Sequence, residues 1–170
     1  MDDPRLPRYI YMFLVLAGLL MAAYYYPRMP ERMASHFAGD GRPNGWQSRE
    51  AFFLIMLVAS ASSALVAFFA PWRLASRPNA HINLPNRDYW LAPGRRQHTM
   101  NYFSAFMAWF GCAVLFVLIS GNFLSFQANL APDHRFNSPA LVVVLVAFLL
   151  FLLIGLLLFV RHFQKGASEM

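Results

Sequence analysis

Four side chains in two predicted connecting loops could together bind a metal ion. His36 and Asp40 share one loop, and Asp133 and His134 share another. Imidazole nitrogen and carboxylate oxygen are ligands that zinc accepts, but a zinc site needs three or four convergent ligands, and this spacing matches no established motif. Loop residues of these types also bond to their own turns. We therefore expect no bound cofactor, and we keep a zinc site in a metal-binding membrane enzyme as an alternative.

Other signatures of catalysis and electron transfer are missing from the sequence. The chain contains no GxSxG, HExxH, P-loop or dinucleotide-binding motif. Its single cysteine, Cys112, allows neither an intramolecular disulfide nor a CxxC site, so we expect it to serve packing. All five histidines lie outside the four long uncharged stretches described next, and we therefore expect no haem. The sequence favours a protein that is not an enzyme.

Four stretches without Asp, Glu, Lys or Arg dominate the chain, and they cover residues 9–26, 51–72, 102–126 and 140–160. As helices they would be roughly 27–37 Å long, which is enough to cross a hydrocarbon core of about 30 Å. Only 13% of the 170 residues are charged and 58% are hydrophobic, whereas a soluble domain carries about 25% charged residues. We predict an all-α integral membrane protein, a four-helix bundle in a single transmembrane domain with two structured interhelical loops.

The distribution of Lys and Arg predicts the orientation of the bundle. If both termini and the loop at residues 73–101 face the cytoplasm, nine of the 14 Lys and Arg lie inside and five lie outside. This is the sense that the positive-inside rule requires. The loop at residues 27–50 then faces outward. The net charge of +6 needs no nucleic-acid partner, because basic flanks facing anionic membrane lipid explain it.

The four predicted helices differ in what they offer for packing. The second carries Ala59, Ser63 and Ala67 at a spacing of four, which allows close helix approach in lipid, so we expect it at the bundle centre. The fourth consists almost entirely of Leu, Val and Phe, which indicates a face toward lipid or toward another subunit, including a second copy of the chain. Asn122, near the end of the third, marks either an interface or the headgroup region.

The outer loop, residues 27–50, is long for a connection between antiparallel helices, which typically needs 2–8 residues. Asp40-Gly41 and Asn44-Gly45 are turn dipeptides, so we expect a compact structured loop that could include a short hairpin. Ser48 is predicted to cap the second helix.

We expect the outer loop to be a recognition surface for a peptide or a lipid-like ligand. The predicted ligand-binding side chains are His36, Phe37, Asp40 and Trp46. Loops of this length usually have a use, since binding residues are often carried on loops that a rigid scaffold positions. The alternative is architectural, with His36 and Asp40 fastening the backbone of the loop itself.

The cytoplasmic loop, residues 73–101, joins aromatic and basic residues just before the third helix. We expect Tyr89 and Trp90 to lie at the membrane interface, and Arg95 and Arg96 to contact lipid phosphates. A cation at an anionic surface contributes about 1 kcal/mol to lipid binding. In the same loop, the proline three residues before Arg96 is predicted to open the third helix.

The two loops together resemble a bacterial membrane-protein family of uncharacterised domains found in SdpI-type immunity proteins. The outer-loop residues that carry the resemblance are Pro27, Pro30, His36, Phe37, Gly41 and Trp46. Residues 83–96 are similar to a companion signature throughout except at Gly94, where the family commonly has Glu. The resemblance implies a bacterial inner-membrane sensor or immunity protein with both termini in the cytoplasm. The alternative is a small structural or accessory subunit of a larger membrane complex.

Overall fold

The computed structural model describes residues 4–76 and 84–165. In chain order the elements are α1 (Arg5–Tyr25), a 3₁₀ turn (Tyr26–Arg28), β1 (Arg32–Phe37), β2 (Pro43–Ser48), α2 (Arg49–Ala64), a π-helical segment (Leu65–Phe69), α3 (Ala70–Ala75), α4 (Arg87–Trp90), α5 (Arg96–Leu130) and α6 (Ser138–Lys165).

Four helical spans are long and apolar enough to cross a membrane: Arg5–Arg28, Arg49–Ala75, Arg96–Leu130 and Ser138–Gln164. The predicted helical membrane bundle is therefore confirmed, and the chain is a multi-pass membrane protein by the length and composition of its helices. Each of these spans starts before its uncharged stretch and ends beyond it, because polar residues continue the helix outside the apolar region. α5 is the clearest case, since it has 35 residues.

α5 is the centre of the bundle, so the prediction that the second helix lies there is wrong. α5 packs against α1, α2, the π segment, α3, α6 and β1. The small residues of the second helix do permit close approach, because a Cβ added at Gly111 of α5 would overlap Ala67. The partner in this approach is α5, which packs against every other span.

α6 packs mainly against α5 and leaves most of its surface uncovered. None of the residues in its most apolar 18-residue stretch is buried within the chain. The outward-facing apolar surface predicted for the fourth helix is therefore present. α6 is fixed near its end, where Phe163 is completely buried.

The second span changes its helical geometry before a proline. Across the π segment, the Ala70 N–H bonds to the Leu65 carbonyl, one residue further back than in an α-helix. Pro71 has no N–H and its ring crowds the carbonyl four residues earlier, that of Ala67. The wider turn accommodates this crowding while the helix continues.

The outer loop folds into an antiparallel hairpin of β1 and β2. Asp40-Gly41 forms its turn, as predicted, and Gly41 has a φ of +82°, which favours glycine. The prediction of a second turn at Asn44-Gly45 is wrong, because both residues lie in β2. Gly45 pairs with His36, and a Cβ at Gly45 would lie 2.9 Å from the His36 Cβ, so glycine serves close cross-strand contact here.

The two predictions about helix starts have different outcomes. Ser48 caps α2 as predicted, because its Oγ accepts a hydrogen bond of 3.1 Å from the Ala51 N–H. The prediction that Pro93 opens the third helix is wrong. α5 begins at Arg96, and Pro93 lies in a turn that the Arg95 N–H closes on the Ala92 carbonyl at 2.9 Å.

Candidate functional site

The hairpin rests on a tightly packed apolar cluster at one end of the bundle. Met33 of β1 is completely buried in this cluster. Beneath it, Phe126 of α5 stacks on Phe53 of α2, with ring centroids 5.2 Å apart. The cluster consists of Ala22, Met29, Met33, Phe52, Phe53, Met56 and Phe126. Because α1, α2 and α5 all contribute side chains to this cluster, the hairpin is packed against three helices of the bundle.

Asn129 of α5 hydrogen-bonds to the backbone of β1 at the strand edge that faces away from β2. The Ala34 N–H donates to Asn129 Oδ1 at 2.7 Å, and Asn129 Nδ2 donates to the Ala34 carbonyl at 2.9 Å. The same amide also donates to the Ser125 carbonyl at 2.9 Å. Ala34 and Asn129 are both buried. The carboxamide thus takes the place of a third strand. Sequence reasoning missed Asn129, although a polar side chain at the end of an apolar helix is a usable signal.

The loop at residues 131–137 lies against the hairpin and completes the surface, which we call the hairpin platform (residues 32–48 and 131–137). The Phe136 N–H donates to the Gly41 carbonyl at 2.9 Å. The Phe136 ring packs against Phe37, with centroids 4.8 Å apart. His134 meets the Trp46 ring edge-on at 5.6 Å. Two predicted ligand-binding residues, Phe37 and Trp46, are therefore joined to a loop that is remote in the sequence.

The two predicted acidic site residues bond to their own turns. Asp40 accepts a hydrogen bond from the N–H two residues later at 3.1 Å and makes an exposed ion pair with Arg42 at 3.4 Å. Asp133 accepts a hydrogen bond of 3.3 Å from the Arg135 N–H. This geometry is what the architectural alternative predicts for Asp40.

The predicted histidines differ in their surroundings. His36 is exposed, and its Nδ1 lies 3.0 Å from the Oγ of Ser35, while His134 contacts Trp46 as described above. Across residues 4–76 and 84–165, no group of three or more His, Cys, Asp and Glu is placed to hold a metal ion.

The second edge of the hairpin is open. Ala34 directs both its N–H and its C=O toward Asn129, so Ala34 and Trp46, which face each other in the hairpin, form a non-hydrogen-bonded pair. In such a pair the backbone groups of both residues point away from the partner strand. Trp46 therefore directs its N–H and C=O away from β1. Outside the hairpin, no described residue forms a backbone hydrogen bond with Trp46. No residue of β2 is buried, and 41% of Trp46 is exposed. The hairpin therefore has one edge, at Ala34, whose backbone groups are satisfied by Asn129, and one edge, at Trp46, whose backbone groups can pair with another strand.

The predicted lipid-contacting residues lie at the opposite end of the bundle, where α4 holds the end of α6. Trp90 Nε1 donates to the Phe163 carbonyl at 2.9 Å, and the Thr99 hydroxyl donates to the Trp90 carbonyl at 2.8 Å. The ring of His162 stacks on Tyr102 with centroids 3.9 Å apart. Trp90 is thus half-buried and part of the protein's own packing.

Of the two arginines predicted to contact lipid, one bonds within the protein and one is exposed. Arg96 Nη1 donates to the Ala75 carbonyl at the end of α3, at 3.2 Å. The Arg95 guanidinium lies 3.9 Å from the Tyr89 ring centroid, and this arginine is exposed. Tyr89 and Arg95 therefore face the surroundings, whereas Arg96 joins two helices. Asn83, where the second-loop signature begins, lies outside the described residues.

A family model matches the hairpin and its flanking helices. It describes a domain of unknown function, DUF1648, and it covers residues 13–59. This segment contains most of α1, the whole hairpin and the first part of α2. The comparisons with curated proteins and with solved structures give no match. The chain is therefore similar to an uncharacterised domain over residues 13–59, the segment that supplies most of the hairpin platform.

Proposed function

We propose that this chain is a peptide-binding protein of the bacterial inner membrane, of the sensor or immunity type, and that the hairpin platform captures an extended peptide. The observation that carries the proposal is the difference between the two hairpin edges. Asn129 closes the edge at Ala34, while Trp46 directs backbone groups outward. An open strand edge recognises the backbone of an extended peptide, and the side chains beside it supply specificity.

The side chains beside the open edge suit this role. Trp46 offers a large, partly exposed ring that His134 supports from one side. His36 is exposed on the neighbouring strand, where it can donate or accept hydrogen bonds. Aromatic rings of this kind give much contact area with little loss of side-chain entropy. Trp46 is accordingly the predicted anchor, with His36 beside it.

The proposed orientation places the hairpin platform outside the cell and both termini in the cytoplasm. The distribution of Lys and Arg supports this sense. A peptide secreted into the surroundings would then meet the platform directly. The SdpI-type resemblance of the two loops supports an immunity or sensor role for such binding.

The test uses the full chain in lipid nanodiscs and a displayed library of random linear peptides. We expect peptides to be enriched, and we expect Trp46→Ala to abolish their binding. Trp72→Ala is the matched control, because Trp72 is also an exposed tryptophan but lies in α3 at the other end. If no peptide is enriched, the peptide-binding role is wrong. If Trp46→Ala and Trp72→Ala bind the enriched peptides equally, the site is not at Trp46.

Backbone pairing has its own signature in the selected peptides. In an antiparallel or parallel pair, only every second residue directs its N–H toward the receptor strand. N-methylation at alternate positions should therefore weaken binding, while methylation at the positions between should have little effect. Equal sensitivity at all positions would show that the platform binds peptides without strand pairing.

A second candidate function, an accessory subunit of a larger membrane complex, has support from α6. This helix packs mainly against α5 and presents apolar residues such as Val143 and Leu149 over most of its surface. A photo-crosslinking residue at Val143 should then capture another protein at fixed stoichiometry in native membranes. A crosslinked product of twice the chain mass would indicate a homo-oligomer instead.

A further inference from the structure

A cavity of about 260 Å³ lies between α1, α2 and α5. α1 and α2 both pack against α5, and the cavity occupies the space between them. Its wall is almost entirely apolar. The lining residues come from all three helices, and they include Val15 and Leu19 of α1, Met56, Leu57 and Ala61 of α2, and Asn122 of α5.

The length and composition of the surrounding spans put this cavity at the level of the bilayer. Every lining residue lies within one of the four membrane spans. Val15 and Leu19 of α1 and Leu57 and Ala61 of α2 line the cavity and are also exposed, so the cavity opens sideways. A void of this size next to lipid would forfeit the dispersion contacts of its lining. An apolar engineered cavity of about 150 Å³ already takes up benzene, so this one has room for part of a hydrocarbon chain.

The polar groups of the cavity differ between its two ends. At the end away from the hairpin, the Tyr11 hydroxyl lies 2.7 Å from Ser63 Oγ, which in turn donates to the Ser60 carbonyl at 2.7 Å. These hydroxyls already have partners inside the protein. At the end near the hairpin, the Asn122 side chain forms no hydrogen bond with any residue that the structure describes. Its carboxamide is therefore available to an occupant of the cavity.

The depth of Asn122 indicates what that occupant is. α5 has 35 residues, so it is about 52 Å long and extends about 11 Å beyond each side of a hydrocarbon core of about 30 Å if it is centred. Asn122 lies eight residues before Leu130, or about 12 Å from the end of the helix. This places the amide at the boundary between hydrocarbon and headgroups, where the ester carbonyls of phospholipids are found.

We propose that the cavity binds one acyl chain of a membrane phospholipid from the leaflet on the hairpin side. The chain fills the apolar space between α1 and α2, and an ester carbonyl accepts a hydrogen bond from Asn122 Nδ2. Met56 lines the cavity and also belongs to the apolar cluster under the hairpin. The bound chain therefore contacts the base of the hairpin platform. This site is independent of any peptide bound at the platform.

The first test uses nanodiscs that contain phosphatidylcholine with a photoactivatable group on the acyl chain. We expect crosslinks to concentrate on the exposed lining residues of α1 and α2. Ala61→Phe should reduce them several-fold, because the larger ring enters the cavity. Ser62→Phe is the matched control on the same helix, since Ser62 is exposed and does not line the cavity. Crosslinks spread evenly over α1, α2 and α6 would overturn the proposal.

The second test addresses the amide and does not depend on filling the cavity. Asn122→Leu keeps the branched shape of the side chain and removes both hydrogen-bonding groups. Native mass spectrometry during stepwise detergent exchange should show faster loss of the last bound phospholipid from this variant. Asn101→Leu, an exposed asparagine of the same helix, should retain lipid like the unaltered chain. Equal retention by Asn122→Leu would overturn the assigned contact.

Discussion

At the scale of single residues, the hairpin platform depends on the chemistry of Asn129. A carboxamide has both a donor and an acceptor, so it can satisfy the N–H and the C=O of Ala34 at the same time. A carboxylate would offer acceptors only, and an aliphatic side chain would offer neither. Asparagine is therefore suited to this position in a way that residues of similar size are not.

We expect Asn129→Leu to destabilise the hairpin. The substitution leaves the buried N–H and C=O of Ala34 without partners, and each such group costs about 1–3 kcal/mol. Hydrogen exchange at Ala34 should accelerate, and thermal unfolding in detergent should shift to lower temperature. Asn101→Leu is the control, because Asn101 is exposed and bonds only to Gln97 among the described contacts. Unchanged exchange at Ala34 would contradict the role of Asn129.

The turn of the hairpin provides a second prediction with a close control. Gly41→Ala should separate the hairpin from residues 131–137, because Gly41 has a positive φ and a Cβ there would overlap the Phe136 carbonyl. Gly39→Ala should be nearly neutral, since a Cβ at Gly39 meets no described atom within 4 Å. The fluorescence of the chain's four tryptophans should change in the first variant only, because Trp46 loses its His134 contact there. A similar spectrum for both would show that the two parts stay together without this contact.

At the scale of elements, α5 connects the two ends of the molecule. At one end it closes β1 through Asn129, and at the other its Thr99 bonds to α4. Its middle contacts α1, the π segment and α6. The hairpin is consequently attached to the element that the other spans share, which makes the platform part of the bundle.

The contact between α5 and the π segment depends on a glycine. Gly111→Leu should lower the thermal stability, since added atoms at this position overlap Ala67 and overpacking typically costs about 1–3 kcal/mol. Gly121→Leu on the same helix serves as the control, because no described atom lies within 4 Å of a Cβ there. Differential scanning fluorimetry of both variants gives the comparison. Equal melting temperatures would indicate that α5 and the π segment can move apart without a loss of stability.

Arg95 and Arg96, at the start of α5, should have different roles. Arg96→Gln should lower thermal stability, because Arg96 joins α5 to the end of α3. Arg95→Gln should leave stability unchanged and weaken retention of anionic lipid by about 1 kcal/mol, since Arg95 is exposed beside Tyr89. Thermal unfolding and lipid mass spectrometry on each variant test the division. Anionic-lipid retention unchanged in Arg95→Gln would remove Arg95 from the lipid contacts.

At the scale of the whole molecule, the two ends are chemically different. One end carries the hairpin platform, and the other carries α4, the end of α6 and the described part of the loop at residues 73–101. Only the second end has the excess of Lys and Arg that favours the cytoplasmic side. This asymmetry sets the expected orientation of the bundle.

Cysteine labelling of intact cells tests that orientation. In a Cys112→Ala background, we expect Asn44→Cys in β2 to react with a membrane-impermeant maleimide. Ser76→Cys at the other end should react only after the cells are opened. Both parent residues are exposed in the structure. Labelling at position 76 without labelling at position 44 would show the inverted orientation.

Some features of this protein could be predicted from sequence because they depend on short segments alone. The four spans follow from long uncharged stretches, since an 18-residue apolar helix is favourable in lipid whatever its neighbours are. The turn at Asp40-Gly41 and the cap at Ser48 follow from the local conformational preferences of those residues. Each of these predictions is confirmed.

Only part of the candidate site could be predicted from the sequence, because its residues contact partners that are far away in the chain. Phe37 and Trp46 were predicted as site residues, but their partners in residues 131–137 are about a hundred positions away in the chain. Asn129 is a polar side chain at the end of an apolar helix, which is a usable signal, but its partner Ala34 is 95 positions away, so the sequence could not show which groups it satisfies. The central place of α5 and the open edge at Trp46 likewise depend on which groups meet in space. Only the tertiary structure decided these contacts, because hydrogen bonds and close packing are made between atoms that sequence spacing does not bring together.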